Sequence, residues 1–433
     1  MTASGPCHAY ESPFHGWSAA VLENDLIRLV AVPDIGGRIM AYDLGPYPFL
    51  FVDPDLAGKL FSAEENQGDG SLAAWKNYGG DKTWPAPQGW DNGQQWHGPP
   101  DPVLDTGRYT LDDLSAGSAT ASVQMTSPPD PRTGVQITRR FTIIRDSSRV
   151  AVDLSFTNVS DKTKCWSIWD VIQLRAERRD ENGRRRYDPA CTITVPINPQ
   201  SRFPRGYNVM FGDENNPQWQ VDEARGLFVG RYLWEIGKVG LDSTAGWIAF
   251  SQGSEGYAFV ELFAVEGEAD YPDEGATVEC WTVGAGQVAN LDYAETDIYL
   301  MEAELLGPLL DIAPGQTINF SATWGVCRCP GLVVDVTDAG CTVQSLKAVA
   351  QGQYVRLTGK FGLFDRGESF LIWLDEDKEE VSRHSLGSVD PLAIVTLDSI
   401  VPIPAYGENL EIRIVSAADG RERRLAGASP VHA

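Results

Sequence analysis

Short runs with the alternation typical of β-strands, separated by polar turns, recur through most of the chain. Four of them follow one another at residues 108–117, 119–127, 135–145 and 149–160, and the turns PPDPRTG and RDSSR separate some of them. Further strand-like runs continue to residue 326. Short strands with polar turns at this spacing are typical of antiparallel sandwiches and barrels. The sequence therefore predicts an all-β fold.

The chain changes character near residue 330. CRCPG at residues 327–331 has the composition of a junction, and about seven strand candidates follow it within about a hundred residues, which is the strand density of a small immunoglobulin-like sandwich. A length of 433 residues also suits more than one domain. We expect a first domain at residues 1–328 and a C-terminal β-sandwich domain at residues 329–433.

The charge balance and the cysteines restrict partners and compartment. Lys and Arg number 35 and Asp and Glu number 60, so the net charge is 35 − 60 = −25. Such a chain repels phosphate backbones and anionic membrane surfaces, so we expect no nucleic-acid or membrane partner. No apolar run is long enough to span a membrane, and the N-terminus lacks the basic and apolar regions of a signal peptide. Seven cysteines, an odd and sparse set, favour a reducing, cytoplasmic location.

Residues 75–105 hold four of the 13 tryptophans: Trp75, Trp84, Trp90 and Trp96. No helical or strand period persists through this stretch, so we expect a long loop. Disordered segments are poor in aromatic residues, which predicts that this loop is ordered. Indole faces beside amides, carboxylates and a lysine suit a sugar, because its C–H face packs on an aromatic ring and its hydroxyls need donors and acceptors. The alternative is that these tryptophans close the end of a sandwich.

Two later stretches place polar residues on one face of a strand. In YLMEAELL at residues 299–306, Glu302 and Glu304 point the same way, about 7 Å apart along the backbone. That span suits acid–base chemistry on a sugar ring, although any solvent-facing strand could show it. In WSIWDVIQL at residues 166–174, Trp169 and Gln173 share a face. This face is either a ligand-contacting surface or sandwich packing.

Isolated charged residues offer weaker signals. Arg38 begins a strand after two glycines, where its guanidinium could contact a ligand or form an ion pair, and Lys238 is expected in a polar loop. Five arginines at residues 178–186 could hold an anionic group, but a solvated hairpin tip around Asn182 explains them better. The cysteines at 327, 329 and 341 lack the paired spacing of structural zinc sites. We expect no metal and no cofactor.

Three sequence blocks resemble known families. PDIGGRIMAYDLG at residues 33–45 and MEAELLGPLLDIAPGQTINFSATWGV at residues 301–326 resemble the first and last strands of the galactose mutarotase-like supersandwich superfamily, which includes aldose 1-epimerases. NYGGDKTWPAPQGW, followed by PPDPV, is similar to the DUF4380 family. The resemblance covers roughly residues 20–326. It implies a galactose mutarotase-like β-supersandwich, here followed by the small immunoglobulin-like β-sandwich.

The resemblance also implies a function. In aldose epimerases a glutamate on a late strand acts as the base and a histidine as the acid. The glutamate corresponds to Glu304, or less closely to Glu302, whereas residues 166–174 contain no histidine, which leaves His97 or Lys82 as the candidate acid. The residues expected to bind substrate are Arg38, Asp81, Trp84, Gln88, Trp90, Trp96, Gln173, Lys238 and Glu302.

These expectations describe a carbohydrate-binding protein with a small sugar or an oligosaccharide as ligand, and they leave open whether it is an enzyme. The simplest enzymatic function is that of an aldose 1-epimerase-like isomerase with Glu304 as the base. Two alternatives stay open. One is a non-catalytic saccharide-binding or structural protein. The other is a lyase or hydrolase that acts on an acidic polysaccharide.

Overall fold

The computed structural model describes residues 5–89, 92–293 and 296–432. Regular structure in these residues is almost entirely β. The helical segments are one short α-helix, α1 at Ala63–Gln67, and single 3-10 turns at Pro33–Ile35 and Leu72–Ala74. The helix begins with a capping box in which Ser62 and Glu65 satisfy each other's backbone N–H groups. The predicted all-β class is confirmed.

Within the described residues, twenty-six strands form the N-terminal part of the fold. In chain order they are β1 His8–Phe14, β2 Trp17–Glu23, β3 Ile27–Val32, β4 Arg38–Leu44, β5 Tyr47–Pro48, β6 Asp81–Ala86, β7 Thr110–Ala116, β8 Thr120–Thr126, β9 Val135–Ile144, β10 Val150–Asn158, β11 Lys164–Arg175, β12 Glu177–Arg179, β13 Arg185–Tyr187, β14 Cys191–Pro196, β15 Asn208–Phe211, β16 Trp219–Asp222, β17 Leu227–Arg231, β18 Gly237–Leu241, β19 Trp247–Gln252, β20 Tyr257–Phe263, β21 Val278–Thr282, β22 Gln287–Val288, β23 Leu291–Asp292, β24 Leu300–Leu306, β25 Leu310–Ile312 and β26 Thr317–Arg328.

Two large antiparallel sheets pack face to face. The first sheet has the order β1-β2-β3-β4-β6-β11-β24-β21-β18-β15, and the second has the order β16-β17-β14-β19-β20-β26-β10-β9-β8-β7. One large apolar cluster fills the space between them, with Ile172 and Leu305 from the first sheet and Phe141 and Trp324 from the second. Two sheets of this size around one core form a supersandwich.

Strand β9 shows how the sequence specifies this packing. Its residues alternate strictly between buried and half-buried along Val135–Ile144, as a strand with one face on a core requires. Arg139 is the one charged residue among the buried positions of this strand. Its guanidinium is fully buried and forms an ion pair with Asp81 of the first sheet. The buried charge is tolerated because it has a buried partner.

The remaining strands form a second sandwich. They are β27 Asp335–Thr337, β28 Gly340–Gln351, β29 Tyr354–Leu363, β30 Gly367–Leu374, β31 Glu380–Val389, β32 Val395–Pro402, β33 Asn409–Ser416, β34 Glu422–Ala428 and β35 Val431–His432. One sheet has the order β27-β28-β29-β32 with β35 beside β28, and the other has the order β31-β30-β33-β34. An apolar cluster that includes Leu357 and Trp373 lies between the two sheets. The predicted small immunoglobulin-like sandwich is confirmed.

The two sandwiches meet through both polar and apolar contacts. Asp365 accepts hydrogen bonds from Arg149, at 2.7 Å from its Nη2, and from the hydroxyl of Ser147 at 2.6 Å. A separate apolar cluster joins residues of β17, β19, β20 and β26 to Val336 and Phe364. The domain division at residue 328 stays a prediction, and β26 ends at that residue.

One segment differs from the sequence expectation. Residues 81–86 were expected in a loop, but they form β6, which lies between β4 and β11 near the middle of the first sheet. All six residues are buried, so both faces of the strand are covered and no hydrophobic alternation is visible in DKTWPA. The polar residues on it are held by buried ion pairs instead.

In the described part of the chain, no helix has the length and apolar character needed to cross a membrane.

Candidate functional site

Five neighbouring strands of the first sheet place polar and aromatic residues on the face that points away from the core. In antiparallel pairs, residues opposite each other share a face. Trp169 of β11 lies opposite Trp84 of β6, and Gln173 lies opposite Glu302 of β24. The register continues across the sheet, because Trp281 of β21 lies opposite both Glu302 and Lys238. The alternation expected for residues 166–174 and 299–306 therefore brings these side chains to one surface.

A cleft of about 140 Å³ opens on this face. Aromatic rings and aliphatic side chains form much of its wall, and three amides, one carboxylate and one ammonium group also line it. Its lining residues are Leu72, Trp75, Asn77, Trp84, Gln88, Pro99, Trp169, Gln173, Lys238, Trp281, Val283, Val288, Tyr293 and Glu302.

Glu302 is the carboxylate that lines the cleft. Its Oε1 accepts a hydrogen bond from Lys82 Nζ at 3.1 Å and another from Gln173 Nε2 at 2.6 Å. Lys82 is 1% exposed and also lies over the ring of Trp84, with Nζ 4.8 Å from the ring centre. Burial lowers the pKa of Lys82, and the adjacent Glu302 carboxylate opposes that shift. Glu302 and Lys82 thus form an ion pair beside the cleft.

Glu304 lies behind the cleft wall. It is fully buried and accepts hydrogen bonds from Trp169 Nε1 at 2.9 Å and from Lys238 Nζ at 3.1 Å. Lys238 Nζ also lies 2.6 Å from Oε2 of Glu279, which is fully buried too. Burial raises the pKa of both carboxyl groups, whereas the two carboxylates hold the pKa of Lys238 above its usual range despite its burial. One lysine therefore faces two buried carboxyl groups.

Two amide oxygens at the cleft have no partner in the described residues. Gln173 donates to Glu302 through its nitrogen, but its Oε1 accepts no hydrogen bond there. Oδ1 of Asn77 is likewise buried without a partner. Buried acceptors are costly when unpaired, so such groups beside a cleft are suited to receive hydroxyl donors from a ligand.

A single carboxylate orients the indoles on one side of the cleft. Asp105 accepts from Trp75 Nε1 at 2.7 Å and from Trp84 Nε1 at 3.2 Å, and it forms an ion pair with Arg38. Arg38 also donates to the carbonyl oxygen of Gly79 at 2.9 Å. Both Asp105 and Arg38 are completely buried. Arg38, which we expected at the substrate, thus holds the aromatic wall from behind.

The structure separates other expected residues from the cleft. Asp81 is buried between the sheets with Arg139. Trp96 is buried beside Trp84, with ring centres 4.9 Å apart, and donates to Asp101 at 2.8 Å. His97 is exposed and lines a different hollow with Trp96. Trp90 lies outside the described residues.

The structure brings together Trp84, Gln88, Gln173, Lys238 and Glu302 of the expected set at the cleft, with Lys82 and Glu304 in contact with its lining. Lys238, expected in a loop, lies on β18. Four residues at or beside the cleft were not expected from the sequence: Trp281, Asn77, Tyr293 and Glu279. The strand-like run TVECWTVG could have identified Glu279 and Trp281, because alternation places them on one face.

The fold is similar to that of several solved structures, three of which follow. A putative aldose 1-epimerase from Klebsiella pneumoniae has a TM-score of 0.50 at 10% identity, and the match covers 72% of this chain and 80% of that chain. A putative mutarotase from Salmonella typhimurium has a TM-score of 0.48 at 8% identity, with 74% and 94% covered. A galactose mutarotase-like protein from Clostridium acetobutylicum has a TM-score of 0.46 at 10% identity, with 75% and 99% covered. The first match supports the predicted galactose mutarotase-like supersandwich, and at these identities the likeness concerns the fold alone.

The family follows from the sequence. Residues 19–327 match the family described as Domain of unknown function (DUF4380), which is more than half of the chain. The protein therefore belongs to the DUF4380 family, as its GGDKTWPAPQ block predicted. A comparison of the sequence with curated proteins found no match.

Proposed function

We propose that the protein binds a saccharide in the cleft of the first sheet. This proposal rests on one observation: the same cleft contains an aromatic wall, amide oxygens without hydrogen-bond partners and a carboxylate. Trp75, Trp84 and Trp281 offer flat apolar surface for the C–H face of a sugar ring. Gln173 and Glu302 can hydrogen-bond its hydroxyl groups.

The charges at the cleft favour a neutral sugar over a uronate. Glu302 brings a negative charge to the lining, and the lysines that could attract an anion, Lys82 and Lys238, are already paired with carboxylates. Arg38 is buried with Asp105 and does not reach the cleft. These contacts weigh against the lyase or hydrolase alternative on acidic polysaccharide.

Calorimetric titration with a panel of neutral mono- and oligosaccharides tests the proposal. Trp281→Ala and Gln173→Ala should each weaken binding about tenfold, since a lost ring contact or hydrogen bond is worth about 1.4 kcal/mol. Tyr406→Ala and Gln220→Ala are matched controls, because both side chains are exposed away from the cleft and should leave affinity unchanged. Binding that survives both cleft substitutions would place the ligand elsewhere.

A second candidate function is interconversion of aldose anomers at the same cleft. It is favoured by the contact between Glu302 and Lys82, a carboxylate and a lysine of lowered pKa. Glu302 would take the proton of the anomeric hydroxyl and pass it to the ring oxygen, while Lys82, buried behind the lining, balances the charge of the carboxylate. The ring C–O bond breaks and closes again on the other face, with no redox change and no cofactor. Glu302 suits this role better than Glu304, since Glu304 lies behind the wall.

Exchange spectroscopy by NMR on a set of aldoses tests this second function. The wild-type protein should accelerate anomer exchange above the buffer rate, Glu302→Gln should abolish the acceleration, and Glu304→Gln should reduce it less. If the wild-type exchange rate equals the buffer rate for every sugar that binds, the second function is refuted and only saccharide binding remains.

A further inference from the structure

Three cysteines converge at the junction of the two sandwiches. Cys327 lies near the end of β26, Cys329 follows that strand, and Cys341 lies on β28 of the second sandwich. Each is fully buried, and their sulfur atoms all lie within 4.8 Å of one another. The chain contains only seven cysteines, so three at one point is a notable concentration.

The spacing of the sulfurs fits a shared ion better than a covalent bond. The Sγ atoms of Cys327 and Cys341 are 3.7 Å apart. Sulfurs that lie about 2.3 Å from one ion at tetrahedral angles are about 3.8 Å apart. A disulfide requires about 2.05 Å, and it would leave the third thiol without a role.

The surrounding backbone is shaped for these sulfurs. Gly362 lies opposite Cys341 on the neighbouring strand, and a Cβ at this position would come within 2.5 Å of Cys327 Sγ and 3.0 Å of Cys329 Cβ. The backbone N–H of Gly362 also donates to the sulfur of Cys329. Any other residue at position 362 would displace the thiols.

The three side chains already contact one another through sulfur. The thiol of Cys327 donates a hydrogen bond to Sγ of Cys341 at 3.7 Å. The thiolate is the form that binds metals, so a bound ion would replace the thiol protons.

We infer that Cys327, Cys329 and Cys341 form a three-thiolate site for a thiophilic d¹⁰ metal ion, Zn²⁺ or Cu⁺. Thiolates select these ions over Mg²⁺ or Ca²⁺. Three sulfur ligands suit three-coordinate Cu⁺, whereas Zn²⁺ leaves the smaller residual charge in an apolar surrounding that includes Val336 and Phe364. Either ion would connect the last strand of the supersandwich to the second sandwich.

The test uses the full chain, purified under reducing, metal-free conditions and incubated with Zn²⁺ or Cu⁺ in separate arms. Elemental analysis after desalting gives the metal retained per chain, and the ultraviolet thiolate-to-metal charge-transfer band reports the ligands. We expect about one equivalent in the wild type. Cys329→Ser and Cys341→Ser should lose it, and Cys165→Ser, which changes a cysteine outside the cluster, should keep it.

Other results would overturn the inference. These are no retained metal in either arm, undiminished retention in Cys329→Ser, or a disulfide between Cys327 and Cys341 found by mass spectrometry. If the serine variants fail to fold, differential alkylation of the metal-loaded wild type in mild denaturant decides. Protection at the three cysteines supports the site, and protection elsewhere or nowhere refutes it.

Discussion

Replacing Lys82 by methionine should strongly lower the free energy of unfolding, although Lys82 lies beside a cleft. The substitution removes the ammonium group 3.1 Å from Glu302 and keeps much of the side-chain volume. Glu302 is 8% exposed and would keep only the Gln173 amide as a donor. Leaving one member of a buried ion pair without its partner costs about 3–5 kcal/mol. The contact of Lys82 with the Trp84 ring is lost as well.

The double variant Lys82→Met/Glu302→Gln distinguishes the contribution of the ion pair to stability from the contribution of side-chain packing. It removes both charges, so its free energy of unfolding should recover most of the loss, with a coupling energy of about 2 kcal/mol or more. Urea unfolding followed by near-ultraviolet circular dichroism measures each variant, and Lys59→Met, at an exposed lysine, is the control. A cost below about 1 kcal/mol for Lys82→Met, or strictly additive changes in the double variant, would refute the reasoning.

Two further predictions concern stability. Burial raises the pKa of Asp43 from 3.8 to about 6, so folding favours its protonated form, and its contribution to stability is progressively lost as the pH rises from about 4 through 6. Asp43→Asn should therefore be more stable than the wild type above pH 6, by at most about 3 kcal/mol, and equal to it below pH 4 in thermal unfolding scans; a constant difference at all pH values would contradict this. Gly36→Ala should cost more than about 2 kcal/mol, because Gly36 has φ +82° and an added Cβ would overlap the carbonyl oxygen of Asp105. Chemical denaturation of Gly36→Ala beside Gly226→Ala, a positive-φ glycine with open space around it, isolates the overlap, and equal costs would exclude it.

The sequence was sufficient for the features that depend on periodicity and local chemistry. Alternation in WSIWDVIQL and YLMEAELL correctly grouped Trp169 with Gln173 and Glu302 with Glu304, because strand geometry alone fixes which side chains share a face. The hairpin around Asn182 is also present, with β12 paired to β13. Such local rules hold wherever the strand itself forms.

Features that depend on tertiary contacts could not be predicted from these local rules. The segment at residues 81–86 appeared irregular because its charged residues are neutralised by partners far away in the chain, Glu302 for Lys82 and Arg139 for Asp81. Alternation could not distinguish Glu302 from Glu304 either, since their different exposure depends on Lys238 and Trp169 from other strands. Likewise, the spacing of the cysteines hid the approach of Cys341, which the β27–β28 hairpin returns to Cys327.

The anchoring of two indoles by Asp105 has a consequence for selectivity. Trp75 and Trp84 are tied through their Nε1 atoms to a carboxylate that Arg38 holds in place, so neither ring can rotate without giving up a hydrogen bond to a buried anion. A recognition surface of this kind is pre-organised, and it avoids the entropy loss of ordering side chains upon association. Such a surface also cannot change its shape to fit a bulkier ligand. Across a series of sugars that differ by one axial or equatorial substituent, affinity should fall in abrupt steps instead of declining gradually.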